Sequence, residues 1–544
     1  MRANKLYVIL LLVVCFFTFF INNGVIHTDI MESRNIVTAR EMVYDGHWLV
    51  PTMNGDLRLE KPPLPTWIAA AAEIVSPDNM SAQRAMAGLA ATLLVLFFYG
   101  FVRTSTKDRN QALIASLVLC TSYNLILMGR TASWDIYCHA FMMGAIYFLF
   151  KALQQQGPQW GNFLGAGLFL GLSFMGKGPV SFYALLLPFL LSYMLFMRRP
   201  MKGKGWPLFC MILLCLLISS WWYIYIYLFH AEEAQYVLHK ESTAWVERNV
   251  RPWYYYGTFF LETGAWALMV LTALLVPYWK RQAKQEREYL FGLSWMLLLV
   301  VCLSCFPEKK NRYLLPVLIP AAYTVSFLFA TWLEQLKTKR MDAVGRRLYY
   351  ANAGLMTVIV ALLPVAAYLF LYQKGIISLT LLIGLAVVLW ALTAFMVTSL
   401  TRMRPWRFLA GVVVLFVFAE IVCMPYIGGL VNNPDFKSIS ATRDIESLRP
   451  LPFYSVAGEE LRIELVYEAN KKIRPLDIND TTAVLRALPC ALLTHQRVGE
   501  VLPNSLFNRI DTVWVGRYDN NRRPKNTRRY SDNFLYNVTI LKLK

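Results

Sequence analysis

Thirteen mostly apolar stretches recur along the chain, over 6–22, 85–102, 111–128, 136–153, 162–176, 179–197, 207–229, 254–279, 289–306, 313–333, 348–372, 376–399 and 408–428. A helix needs about 20 such residues to cross the hydrocarbon core of a bilayer. The pattern therefore predicts thirteen membrane-spanning helices. The stretch over 162–176 is the shortest and is separated from the next by Gly176-Lys177-Gly178-Pro179, which reads as a tight turn. The first stretch begins basic, with Arg2 and Lys5, but leaves through Phe20-Ile21-Asn22-Asn23 rather than a small-x-small cleavage pattern. It reads as a retained span. After residue 428 the pattern changes. Strands are expected over 450–456, 491–494, 512–516 and 536–543, and helices over 459–470 and 481–488. Strands alternating with helices predict a small α/β domain over 429–544. The membrane domain, 1–428, would carry two long external loops, 23–84 and 230–253.

Composition agrees: 57% of residues are hydrophobic, 16% are charged and mean hydropathy is +0.41. Disordered chains need low hydrophobicity, and an ordinary soluble surface could not hide so much apolar material. The net charge of +20 is resolved by topology. Loops on the side of the N-terminus hold 22 Lys and Arg against 5 Asp and Glu, whereas the opposite loops hold 14 of each. The positive-inside rule puts the N-terminus in the cytoplasm, and an odd number of spans puts the C-terminal domain outside. The expected location is a bacterial inner membrane, with that domain in the periplasm. Of the nine cysteines, eight lie in spans and Cys490 is alone in the tail, so no disulfide framework is expected. The basic run Arg517, Arg522, Arg523, Lys525, Arg528 and Arg529 reads either as a solvated hairpin or as a patch for anionic lipid headgroups.

A carrier or channel would place ionisable groups in mid-span. Only Glu262 and Glu420 lie deep in a span; Asp29, Glu32, Arg34, Glu60, Lys61, Arg130, Asp135, Glu241, Arg248, Lys309, Lys310 and Arg312 share one membrane face. That is the layout of an interfacial enzyme at the outer leaflet. Asp29 follows the first span directly and is read either as a partly desolvated base or as the cap of a helix over 30–43. Pro62 and Pro63 stiffen the backbone after Lys61 and present its ammonium rigidly. His139, four residues after Asp135, shares its helix face.

The motifs follow one another in a telling order. Asp29-x-x-Glu32-x-Arg34, Gly46-x-Trp48-x-Val50-Pro51, Asn54-Gly55 and Glu60-Lys61-Pro62-Pro63-Leu64 come first. Arg130-x-x-Ser133-x-Asp135, Gly176-Lys177-Gly178-Pro179, Glu241 with Arg248 and Arg251-Pro252-Trp253, and Lys309-Lys310 with Tyr313-Leu314-Leu315-Pro316 follow. This set, over about residues 1–330, resembles the aminoarabinose transferases that modify lipid A. They are GT-C membrane glycosyltransferases related to the protein O-mannosyltransferases. The resemblance implies a polytopic GT-C fold of about thirteen spans with a small soluble C-terminal α/β domain. It implies transfer of a sugar from a polyprenyl-phosphate carrier to a lipid or protein acceptor, among membrane lipids and without nucleic acid.

Asp29 and Asp135 are the implied catalytic carboxylates. Glu32, Arg34, Lys61, Arg248, Lys309, Arg312 and Tyr313 are the implied substrate-binding residues. No cofactor is required by such chemistry, although the family also suggests a divalent metal, zinc, for which Glu60, His239 and Glu241 are the candidates here. A protein O-glycosyltransferase and a transporter or flippase of lipid-linked sugars are the alternatives. The sugar, the acceptor and the oligomeric state are left open.

Overall fold

The computed structural model describes residues 2–430, 433–528 and 530–544; Arg529 of the basic run lies outside the described residues. The chain forms two compact units. One comprises 1–25, 59–68 and 75–426, the other 26–58, 69–74 and 427–544.

The first unit is helical. Among the described residues, eight helices are long and apolar enough to cross a membrane, and ten if each of two bent pairs counts as one span. The remaining expected spans coincide with the helices Arg2–Phe19, Trp160–Lys177 and Leu187–Phe196, the last preceded by a π-turn at Phe182–Leu186. The chain is thus a multi-pass membrane protein. Two stretches expected as straight spans are broken. Arg109–Cys120 and Tyr123–Gly129 meet at 68°, and Trp253–Ala273 and Val276–Gln282 at 83°. At the first break Thr121 turns its hydroxyl back onto the carbonyl of Leu117, and at the second Pro277 opens the following helix. Gly264, at φ +64°, interrupts the first half of that second pair. The deep carboxylate Glu420 sits in a π-turn, Ala419–Cys423, and forms a buried ion pair with Arg130 at 3.0 Å.

The second unit combines residues 26–58 and 69–74 with the C-terminal domain. Asp29 caps the helix Ile30–Asp45 by accepting from the backbone N–H groups of Met31 and Glu32, and Glu32 returns the bond to complete a capping box. After Gly46 come two short strands, β1 (Thr52–Met53) and β2 (Asp56–Leu57), joined by Asn54-Gly55. Both turn residues have positive φ, +57° and +80°, as a tight Asn-Gly hairpin demands. The main sheet has five strands: β3 (Phe453–Val456), β4 (Ile473–Leu476), β5 (Cys490–Thr494), β6 (Ile510–Asp519) and β7 (Leu535–Leu543). Their order is β4-β3-β5-β7-β6, with β4, β3 and β5 parallel and β7 and β6 antiparallel additions. β4 was not expected from sequence, because Pro475 lies within it; at a sheet edge the missing N–H is tolerated.

The loop is built into this domain. Asn54 donates to the carbonyl of Ile473 at 2.7 Å and accepts from its N–H at 2.8 Å. Arg40 donates to the carbonyl of Tyr467, and Lys472 pairs with Asp45 at 2.8 Å. Val37 shares a hydrophobic core with Ile439, Leu448, Phe453, Leu465 and Ile473.

Candidate active site

The site in the helical unit begins with two antiparallel helix ends. Asp135 is the second residue of the helix Trp134–Gln154, and Lys177 is the last residue of the helix Trp160–Lys177. An anion is favoured at a helix N-terminus and a cation at a C-terminus. The packing of these two neighbours brings the ammonium of Lys177 onto Oδ1 of Asp135 in a short, buried ion pair. Gly176 allows the approach: a Cβ there would stand 3.1 Å from the Cα of Cys138. Oδ2 of Asp135 has no hydrogen-bond partner among the described residues, nor has Nδ1 of His139, buried one turn below.

A second layer comes from the loop over 305–313. The Nζ of Lys177 lies 4.9 Å from the ring centre of Tyr313, Lys310 approaches the same ring at 5.7 Å and Arg312 at 5.6 Å. The charges of Arg312 and Lys61 reach the buried pair electrostatically. Glu308 joins the cations: it accepts from Lys310 at 2.6 Å, Arg248 at 3.1 Å and the hydroxyl of Tyr313 at 3.3 Å. Burial pushes the Glu308 carboxyl up, but the hydrogen bond and charge of Lys310, with the charge of Arg248, outweigh it and hold the group below the ordinary glutamate range. Burial also lowers Lys310, partly offset by Glu308.

The loop over 230–253 is clasped to the loop over 305–313 around these side chains. Val250 and Glu308 form an antiparallel bridge. Lys309 donates its ammonium to the carbonyls of Arg251 and Phe306. Lys61 pairs with Glu241 at 3.0 Å.

Several expectations meet a different geometry. Lys309, expected to bind substrate, is buried and spends its charge on backbone carbonyls; the alternating extended backbone turns Lys310 toward Tyr313 instead. The proposed metal trio is not brought together. Glu241 is occupied by Lys61, Glu60 lies 4.0 Å from Lys240, and His239 is exposed on the helix Ala231–Glu247. Among the described residues no group of three His, Cys, Asp or Glu is placed to hold a metal ion. These residues do not fit zinc.

Asp29 adopts the capping role, with Glu32 and Arg34 in the second unit; Arg58 donates to the carbonyl of Arg34. Lys177 and Glu308 were not singled out from sequence. The readable signals were a lone lysine between two apolar stretches and a carboxylate beside two lysines.

Comparison with known proteins places this geometry. Residues 60–225 match the family model of dolichyl-phosphate-mannose-protein mannosyltransferases. An arabinosyl transferase of Pseudomonas fluorescens, named for undecaprenyl phosphate-α-4-amino-4-deoxy-L-arabinose, is 26% identical over 316 residues, 56% of this chain and 54% of its own length. The chain is similar to the aminoarabinose transferases. The match thus spans about half of that transferase. An uncharacterised protein of Aquifex aeolicus is 25% identical over 389 residues, 69% of this chain and 75% of its own. The crystal structure of an aminoarabinose transferase, ArnT from Cupriavidus metallidurans bound to undecaprenyl phosphate, superposes with a TM-score of 0.69 at 15% identity, covering 99% of this chain and 97% of that one. At that identity the likeness establishes the GT-C fold, including the small C-terminal sheet.

Proposed function

We propose that this protein is a membrane glycosyltransferase that moves a sugar from a polyprenyl-phosphate carrier to a lipid A-like or other cell-envelope acceptor. The reading has thirteen spans, a cytoplasmic N-terminus and the C-terminal domain on the periplasmic side of a bacterial inner membrane. The observation that carries it is the gathering of Lys61, Arg248, Lys310 and Arg312 around Tyr313 and the Asp135–Lys177 pair, in a relative of transferases named for such a carrier.

The leaving group is a lipid phosphate, so cations fixed in advance stabilise the charge that develops as the glycosidic bond breaks. The anomeric carbon becomes cationic at the same time, as in glycoside hydrolysis. Asp135, with Lys177 fixing one oxygen and the other without a hydrogen-bond partner among the described residues, is the carboxylate assigned to the sugar. Tyr313 is assigned to the carrier phosphate. Asp29, fixed by its capping box, is assigned as base where the acceptor is a hydroxyl. A phosphate acceptor requires little base catalysis.

Purified full-length protein given a polyprenyl-phosphate sugar and an acceptor should release the carrier phosphate. Asp135→Asn and Lys61→Ala should each slow transfer on the order of 100-fold, the cost of removing one oriented electrostatic group. Full transfer by both variants would overturn the site.

The match to the protein mannosyltransferase model favours a second reading, a protein acceptor. That reading requires a hydroxyl, so Asp29→Asn would abolish transfer, and mass spectrometry would find the sugar on protein rather than lipid.

A further inference from the structure

A cavity lies at the far end of the helical unit from Tyr313. Tyr313 stands near the start of the candidate span Asn311–Lys337, and Ala330 and Glu334, near the other end of that span, line the cavity. The helix over most of this distance, Leu318–Lys337, has 20 residues and is about 30 Å long. The cavity measures about 790 Å³, within the range of small-molecule sites. Its walls are the turn between the helices Met80–Thr106 and Arg109–Cys120, residues 282–285 and residues 327–340, and Tyr7 of the first helix borders it.

Its charge is uneven. Lys107, Arg109, Lys284 and Arg340 line it against Asp108 and Glu334. All six side chains are exposed, so their charged ends are within reach of a ligand. Both carboxylates are engaged. Asp108 caps the helix Arg109–Cys120, accepting from the N–H groups of Asn110 at 2.8 Å and Gln111 at 3.3 Å. Glu334 lies 4.0 Å from Lys284. Lys107, Arg109 and Arg340 form no ion pair among the described residues. Arg109 also goes against local preference: it is the first residue of its helix, where the dipole disfavours a cation. Its charge therefore serves something other than the helix.

The border toward the bilayer is apolar. Phe327 and Ala330 line the cavity, and Leu6 and Leu10, beside Tyr7 on the first helix, are exposed. We propose that this cavity binds a phosphate ester. An anion with several oxygens accepts from Lys107, Arg109 and Arg340 together, and a guanidinium matches phosphate geometry with two parallel bonds. A phospholipid headgroup, its chains lying along the first helix, and a soluble phosphoester share this chemistry. The site stands whether or not the Asp135 end of the unit transfers a sugar.

Hydrogen-exchange mass spectrometry of the full-length protein in a neutral detergent reads the cavity locally. Dioctanoyl phosphatidic acid or glycerol 3-phosphate should slow exchange over 106–111 and 282–285. Dioctanoylglycerol, the same chains without phosphate, should not. Arg109→Gln/Arg340→Gln should weaken the apparent affinity on the order of 30-fold, since each cation near an anionic headgroup contributes about fivefold. Both positions are exposed and without ion pairs, so this variant should melt as the native protein does when no ligand is present. Arg198→Gln/Lys202→Gln removes two exposed cations at the same end of the unit but outside the cavity, and should leave the affinity unchanged. A response to phosphatidic acid alone identifies a lipid-headgroup site; a response to glycerol 3-phosphate, alone or as well, identifies a phosphoester site open to solution. No slowing by either phosphate compound at these segments overturns the proposal. So does equal slowing by dioctanoylglycerol, undiminished affinity in Arg109→Gln/Arg340→Gln, or an equal loss in Arg198→Gln/Lys202→Gln, which would mean diffuse surface attraction.

Discussion

Lys177 and Asp135 show how far a single residue can be read and where reading stops. In sequence Lys177 lies inside a glycine-rich turn, and nothing local distinguishes it from a loop cation; only the antiparallel packing of two helices puts it on Asp135. Asp135 itself was legible, as a carboxylate at the start of a span. Breaking such a buried pair leaves an uncompensated charge and costs about 3–5 kcal/mol. Lys177→Met should therefore lower the melting temperature sharply. The double variant Asp135→Asn/Lys177→Met, without the charge, should recover most of the lost stability and none of the transfer. Recovery of transfer with stability would make the pair purely structural.

Glu308 permits a pH test at the same scale. Its native carboxyl is held below its unfolded value, so its stabilisation is present above about pH 4.3 and is lost as pH falls through the depressed native value. Thermal melts over that acidic range should fall more steeply for the wild type than for Lys310→Met. Parallel curves would show that Lys310 does not hold the group down.

At the scale of elements, hydropathy located the helices but could not report their bends, because a broken span and a straight one bury the same apolar residues. The 83° break near Val276 and the interruption at Gly264 depend on single backbone positions. A Cβ at Gly264 would meet Tyr123 at 3.0 Å and would force a β-carbon into a positive-φ conformation, φ +64° and ψ −116°, costing about 1–3 kcal/mol. Gly264→Ala should lower the melting temperature measurably, and an unchanged melt would mean that the neighbouring helix yields freely. The helix expected over 30–43 runs Ile30–Asp45, since Asp29 and Glu32 announce its start and Gly46 its end. The edge strand β4 stayed hidden because proline argues against a strand unless its place at an edge is known.

For the whole molecule, the informative fact is which segments fold together. Hydropathy separates apolar spans from the polar tail and says nothing about the company kept by a polar loop. Residues 26–58 belong with 427–544, through Asn54 on Ile473, Arg40 on Tyr467 and the core shared by Val37. A chain ending at residue 428 should insert its helices yet leave 26–58 without the surfaces that order it. Limited proteolysis should then cut within 26–58, and transfer should be lost although Asp135 and its cations remain. A protected loop in the shortened chain would contradict this.

The two-way bond between Asn54 and Ile473 ties together residues more than four hundred positions apart. A hybrid of two such proteins joined at the last span would treat the tail as a detachable cassette. Here such a junction would separate the halves of a matched lock. A tail transplanted alone would arrive with a key cut for another hairpin, so residues 26–58 and 427–544 must be inherited, or exchanged, as a pair.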